Sequence, residues 1–370
     1  MDKHLALLEA MVNADSGSGY REGFQQLAAM IRPIAKELHC SFESRTAHDG
    51  SVHYVMSRGE GERILLIAHL DTVFPLGTAA KRPFTIIGDR AYGPGVSDCK
   101  SGVVTILAAL DELNRDQWPD CRIECLFNTD EELSSPGSRE IIAELAKGAK
   151  AVLVVEPAEG DNLTVARKGI GRFVLKVTGK AAHSGSNYGD GRNAVVELAH
   201  KITEIYRLSD LKTGVTFNPA VIKGGSRPNI VPDYAEVEID LRLKTVAQER
   251  QALERLNEIV GRRWIPETKS RLEGMITRPP MEVTPANLQL YQEFKTIGDD
   301  LGITLGYVES GGGSDANLAA ACGVPVIDGL GPVGGGHHTE EEYLEIPSLY
   351  RRIKLLAEYL KRCGNGKIGV

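Results

Sequence analysis

The chain has 370 residues, more than one hydrophobic core usually serves, and 42% of them are hydrophobic, enough to fill two. A net charge of −7 with no basic block argues against nucleic acid or an anionic membrane as a partner. No run approaches the ~18 uninterrupted apolar residues of a membrane span, and the start, "MDKHLALLEAMVNADSGSG", carries charges within an amphipathic pattern instead of a signal-peptide core, so a cytoplasmic location is expected.

Helical spacing of apolar positions covers 2–13 and 21–39, broken by "ADSGSGY". Apolar strand runs follow at 52–57, 63–69, 121–127 and 151–156, with a helix over 101–115. Strands of this kind alternating with helices predict an α/β fold on a mostly parallel sheet, with ligand sites beyond the carboxyl ends of the strands. Near residue 167 the pattern changes. "RFVLKVTGKAAH" alternates as a half-buried strand, "RNAVVELAHKITEIYRL" reads as a helix, and "TGVTFNPAVIKGG" and "YAEVEIDLRLK" read as strands. A helix over 246–261 and a strand near 270–276 complete a βαββαβ order. From about 283 the α/β pattern resumes and ends in the helix "IPSLYRRIKLLAEYLKRC". The expected organisation is a discontinuous catalytic domain, 1–166 and 283–370, interrupted by an α+β insert at 167–282. The six cysteines are scattered and suit reduced thiols; Cys121 and Cys125 share parity on one strand and are read as buried packing groups.

Acids and histidines recur just after the apolar runs: His69 and Asp71 in "LLIAHLDTV", Asp98 in "YGPGVSDCKSG", Glu131 and Glu132 in "NTDEELSSPGS", Glu156 in "AVLVVEP" and His338 in "GGGHHTEEEY". Imidazole nitrogen mixed with carboxylate oxygen suits divalent cations, and a spare carboxylate beside the ligands can act as a general base, so the chain reads as a metallohydrolase. Taken singly, most of these residues have plainer readings. His69 and Asp71 fit a turn histidine and a capping acid, and Asp98 fits an acid near a helix start. Glu131 and Glu132 fit acids ahead of a helix that Ser135 caps and Pro136 begins. Glu156 is harder to explain that way, because an unpaired carboxylate at the end of an apolar strand is costly to bury.

In order and wording these segments resemble the di-zinc aminoacylase and carboxypeptidase superfamily, and within it the folate-hydrolysing glutamate carboxypeptidase branch, from about residue 60 onward. The resemblance implies two zinc ions, for which manganese or cobalt could substitute. One would be held by His69, Asp98 and Glu156 and the other by Asp98, Glu132 and His338, with Asp98 as the bridge. Asp71 would hold the His69 imidazole, Glu131 would be the general base, and the peptide between Asp98 and Cys99 would be cis. Most relatives carry Met where this chain has Cys99. The insert is implied to be a ferredoxin-like lid and dimerisation domain of a homodimer, with His183 reaching a neighbouring subunit's site as an oxyanion donor. Asn229, Arg242 and Gly313 match substrate-binding positions, and Arg278 is the candidate for gripping a substrate α-carboxylate.

The expected activity is release of a C-terminal, acidic amino acid from a small peptidyl or N-acyl substrate. An aminoacylase or deacetylase acting on N-acyl amino acids shares every ligand and is the alternative, and a non-catalytic binding member of the fold is a third reading.

Overall fold

The computed structural model describes residues 2–116 and 118–364. The chain forms two compact units, one of Met1–Ala166, Val283–Ser310 and Ser314–Val370 and the other of Arg167–Glu282 with Gly311–Gly313.

In the first unit a six-stranded sheet runs in the order Ser41–Thr46, Val52–Arg58, Arg122–Asn128, Arg63–His69, Ala151–Val154, Val326–Ile327. The last four strands are parallel and the first two pairings are antiparallel. From Ile64 to His69 every residue is buried, the continuous apolar run of a strand covered on both faces. The helix Lys100–Arg115 lies against this core, with buried residues all round its first two turns. The strand Ser41–Thr46 escapes the sequence pattern because it is an edge strand whose residues are mostly exposed and polar.

Parallel register aligns the carboxyl ends of the strands. His69 is opposite Asn128, Ile67 is opposite Val154, and the Val155 N–H donates to the Ile67 carbonyl at 2.8 Å. His69, the 129–132 segment and Glu156 therefore leave one edge of the sheet together. A small antiparallel sheet of Gly334–Gly335, Tyr343–Glu345, Arg90–Tyr92 and Thr85–Ile87 brings the chain leading to Asp98 beside the chain around His338. These strands of two or three residues carry too little pattern to be read from sequence.

The helix expected to start at Ser135 and Pro136 starts instead at Arg139. Glu131–Leu133 form a single 3₁₀ turn, and Ser134 and Ser135 take left-handed φ values of 69° and 56°. The cause is Asp130. Its carboxylate accepts the Gly137 and Ser138 amides at 2.7 and 3.0 Å and the Ser138 hydroxyl at 2.6 Å, tying the two residues ahead of the helix into a turn.

The second unit is an antiparallel sheet ordered Thr216–Gly224, Tyr234–Leu243, Gly169–Thr178, Lys269–Arg278, with helices Ala194–Tyr206 and Val246–Gly261. Its strand order, second, third, first and fourth in sequence, is ferredoxin-like. Burial alternates along Tyr234–Leu243, as one covered face requires, and Phe173, Leu175, Val237, Ile239 and Leu241 pack with Leu198 and Leu256 of the helices.

Candidate metal centre

Strand ends and one loop bring five of the predicted residues together. His69, Asp98 and Glu156, with Cys99, form one donor group, and Asp98, Glu132 and His338 form another; within each, the donor atoms lie within 4.8 Å of one another. Asp98 belongs to both. Its Oδ1 is 2.9 Å from His69 Nε2 and its Oδ2 is 3.3 Å from His338 Nε2, so the two carboxylate oxygens face different imidazoles. His338 Nε2 is also 3.3 Å from Glu132, and His69 Nε2 is 3.7 Å from Glu156. The peptide between Asp98 and Cys99 is cis.

Among the described residues, the basic groups within 4 Å of Asp98, Glu132 and Glu156 are His69 and His338. Protonation shows the strain of this arrangement. Burial pushes the Glu132 carboxyl up to about 8 and raises Glu156 as well. Burial works against ionised Asp98 too, but hydrogen bonds from His338 and His69 outweigh it and hold that carboxyl well below its usual range. The bond to Asp98 raises His338 to about 9. Burial pulls His69 down, yet Glu156 and the aspartates overcome it and keep the imidazole well above its ordinary value. Extra protons on buried acids and imidazoles do the work that cations would do, and a set of three carboxylates and two imidazoles fits two divalent ions.

Cys99 sits in the first group, but its thiol donates to the Val155 carbonyl at 3.2 Å, and burial, with Glu156 adding to it, pushes the thiol well above its usual range. A protonated thiol turned to a carbonyl is a poor ligand, so the donor set stays His and carboxylate. The neighbouring His337 bonds to the Ser97 hydroxyl at 3.1 Å and belongs to neither group.

Asp71 organises the site more widely than the sequence indicates. The His69 Nδ1–H donates to the Asp71 main-chain carbonyl at 2.9 Å and lies 3.3 Å from its carboxylate, which leaves Nε2 facing Asp98. The same carboxylate accepts the Glu131 amide at 3.1 Å, the Glu132 amide at 3.1 Å and the Ser18 hydroxyl at 2.8 Å. One buried acid thus fixes both a member of the first donor group and the turn carrying the paired glutamates. Glu131, half-buried at the start of that turn, belongs to neither donor group. Beneath the turn, Asp315 accepts from Asn128 at 2.6 Å and from the Ser135 hydroxyl. Ser18 and Asp315 were not legible as supports of this region because their partners lie far away in sequence, and Asp130 because its partners, Gly137 and Ser138, are met only across a non-helical turn.

The chain between residues 65 and 362 matches the model of Peptidase family M20/M25/M40. It belongs to that family. This M20 peptidase is a metal-dependent hydrolase, 35% identical over 97% of its length to carboxypeptidase G2 of Pseudomonas sp. (strain RS-16), of which it covers 89%. Among solved structures it resembles a tripeptidase of Staphylococcus aureus, with a TM-score of 0.82, 20% identity and 98% of each chain covered. It also resembles a dinuclear metal-binding M20 peptidase of Bacillus subtilis, with a TM-score of 0.72, 15% identity and 98% of each chain covered.

The remaining predicted residues belong to the second unit of the M20 peptidase. His183 lies on the two-residue strand Ala182–His183 and is exposed, and its Nδ1 accepts the Gly185 and Ser186 amides, each at 3.1 Å. That fixes the proton on Nε2, which is left as a donor. Asn229 is exposed, and its carbonyl accepts the Ser184 amide at 3.1 Å. Arg242 is paired through both Nε (2.9 Å) and Nη2 (3.3 Å) with Asp240. Gly313 ends the glycine run whose Gly311 carbonyl accepts from Arg242 at 3.5 Å. Arg278 ends the strand Lys269–Arg278, is 2% exposed and is engaged by neighbouring groups.

Proposed function

We propose that this M20 peptidase is a di-zinc carboxypeptidase that releases a C-terminal, acidic amino acid from a peptidyl or N-acyl substrate. The observation that carries the reading is the sharing of Asp98 between two donor groups, with Glu131 beside them and outside both. Bound ions would polarise the scissile carbonyl and lower the pKa of a water. Glu131 takes the proton of the attacking water and delivers it to the leaving amine, and its position is set by the Asp71 bond to its amide. His183, with its Nε2–H free to donate, stabilises the oxyanion across a dimer. Arg278, Asn229, Arg242 and Gly313 form the carboxylate-binding side. Similarity to carboxypeptidase G2 supports the C-terminal amino acid as the product.

The dimer reading is supported by the edge of the second unit's sheet. Thr216–Gly224 is the end strand of its sheet and exposes Val221 and Ile222, and its last residue, Gly224, lies against the exposed Val195 of the helix Ala194–Tyr206. A second copy of this edge is its expected partner. All six cysteines are free, which fits a reducing compartment such as the cytoplasm.

A panel of peptides, folate-like conjugates and N-acyl-glutamates, each as free acid and as C-terminal amide, tests the substrate class. Arg278→Ala should raise KM for the acids and leave the amides little changed. Equal losses on both would make Arg278 structural. Preference for small N-acyl amino acids over every peptidyl substrate would replace the carboxypeptidase reading with that of an aminoacylase.

A further inference from the structure

The loop that carries Asp98 is built from Gly93, Pro94 and Gly95, and both glycines have positive φ, 144° and 72°. Such a segment has little local reason to hold one position, yet the shared carboxylate must sit correctly for two ions at once. Two buried charges grip the loop. The Glu342 carboxylate, 1% exposed, accepts the Gly95 amide on Oε2 and the Ser97 and Asp98 amides on Oε1, each at 2.9 Å. The Lys100 ammonium, also 1% exposed, donates to the Pro94 carbonyl at 3.2 Å and the Ala14 carbonyl at 2.9 Å. Neither group belongs to a donor cluster.

We propose that Glu342 and Lys100 are positioning residues, a clamp that holds the amides and a carbonyl of the 94–98 loop and so sets Asp98 against His338. The proposal rests on the two-ion reading of the site. Its physical basis is that burying a carboxylate is costly, and three backbone N–H donors offset that cost only if the loop keeps this one shape. Glu342 lies four residues after His338, beyond the turn that the Thr339 amide closes on the Gly336 carbonyl at 3.1 Å. His338 itself has a φ of 63°, a conformation that a non-glycine residue keeps only when its surroundings enforce it. One short segment thus supplies a ligand for the second ion and grips the amide of the bridging residue. His69 and Glu156, by contrast, are placed by paired parallel strands and do not depend on the clamp.

The consequence is uneven. Glu342→Gln keeps the shape but puts an NH₂ where one set of amides needs an acceptor. Zinc affinity, measured stepwise by chelator competition on the purified full-length protein, should fall about 10- to 100-fold for the ion on Asp98, Glu132 and His338, and only about threefold for the other. Lys100→Met should weaken the same ion by a smaller factor. Amide hydrogen exchange adds a reading that general destabilisation does not reproduce: exchange at Gly95, Ser97 and Asp98 should quicken in Glu342→Gln while the central strands stay protected. If Glu342→Gln does not fold, exchange in the wild-type protein decides. Protection of these three amides before zinc is added supports the clamp, and free exchange until zinc binds overturns it. Unchanged stepwise affinities in a folded variant also overturn it. A wild-type protein that takes only one ion overturns the two-ion reading first, and the clamp with it.

Discussion

Each unit buries a cluster of charges, and the two are neutralised in different ways. In the second unit, Lys201 and Glu197 have fully buried side chains 3.2 Å apart on one helix. The ammonium donates to the Ile259, Val260 and Arg262 carbonyls at 2.9, 3.0 and 2.5 Å, ending the helix Val246–Gly261, and the carboxylate accepts the Trp264 and Ile265 amides at 2.8 and 2.6 Å. Positive meets negative, and the backbone around the pair is satisfied. In the first unit, the basic groups that Asp98, Glu132 and Glu156 meet among the described residues are imidazoles; Asp98 is held ionised by them, while burial raises Glu132 and Glu156 toward their protonated forms. A buried pair of opposite charges serves the fold. A cluster that lacks positive charge is poised for a ligand.

This difference can be broken from either side. Asp98→Ala should strip both ions and lower turnover by more than about 10³-fold, because metal activation supplies several kcal/mol of transition-state stabilisation. The melting temperature of the metal-free protein should fall near neutral pH, since Asp98 is the carboxylate whose ionised form His69 and His338 stabilise. Glu156→Ala should weaken mainly one ion, and equal partial loss in the two variants, read by metal analysis, would remove Asp98 as the bridge.

Glu131→Gln sharpens the division within the site itself. Turnover should fall about 10²- to 10⁴-fold with both ions retained, because the amide cannot accept the proton. Activity within about tenfold of wild type would exclude Glu131 as the base.

Lys201→Met is the converse experiment. Removing one partner of a buried pair should cost about 3–5 kcal/mol in denaturant unfolding, while the metal content of the folded protein stays at the wild-type value. Loss of metal at full stability would mean that the pair serves the site. The smallest effect is expected from His183→Ala, a drop in kcat of about 10²-fold with ions retained. Mixing this variant with Glu131→Gln subunits should restore part of the activity through hybrid dimers. No recovery after verified subunit exchange would leave His183 acting within its own chain or not at all.

Much of the fold follows from periodicity. The runs at 63–69 and 121–127 and the alternating strands of the insert bury the faces their patterns assign, because side-chain period and burial are local properties of a strand. The same runs point to where ligands collect, at the carboxyl ends of parallel strands, and His69, Glu132 and Glu156 are found there. What no window of sequence holds is the partner of a polar group. Ser135 looks like a helix cap until Asp130 takes the amides ahead of Arg139. Asp71 looks like a histidine's companion until the fold brings the Glu131 and Glu132 amides to its carboxylate from 60 residues away. Glu342 reads as one acid among three until the loop 244 residues before it turns its amides inward. Sequence, through residue type and its resemblance to a family, named the residues that the fold gathers into two donor groups. Only the tertiary structure decided what holds them, because a buried hydrogen bond is fixed by where two distant segments meet.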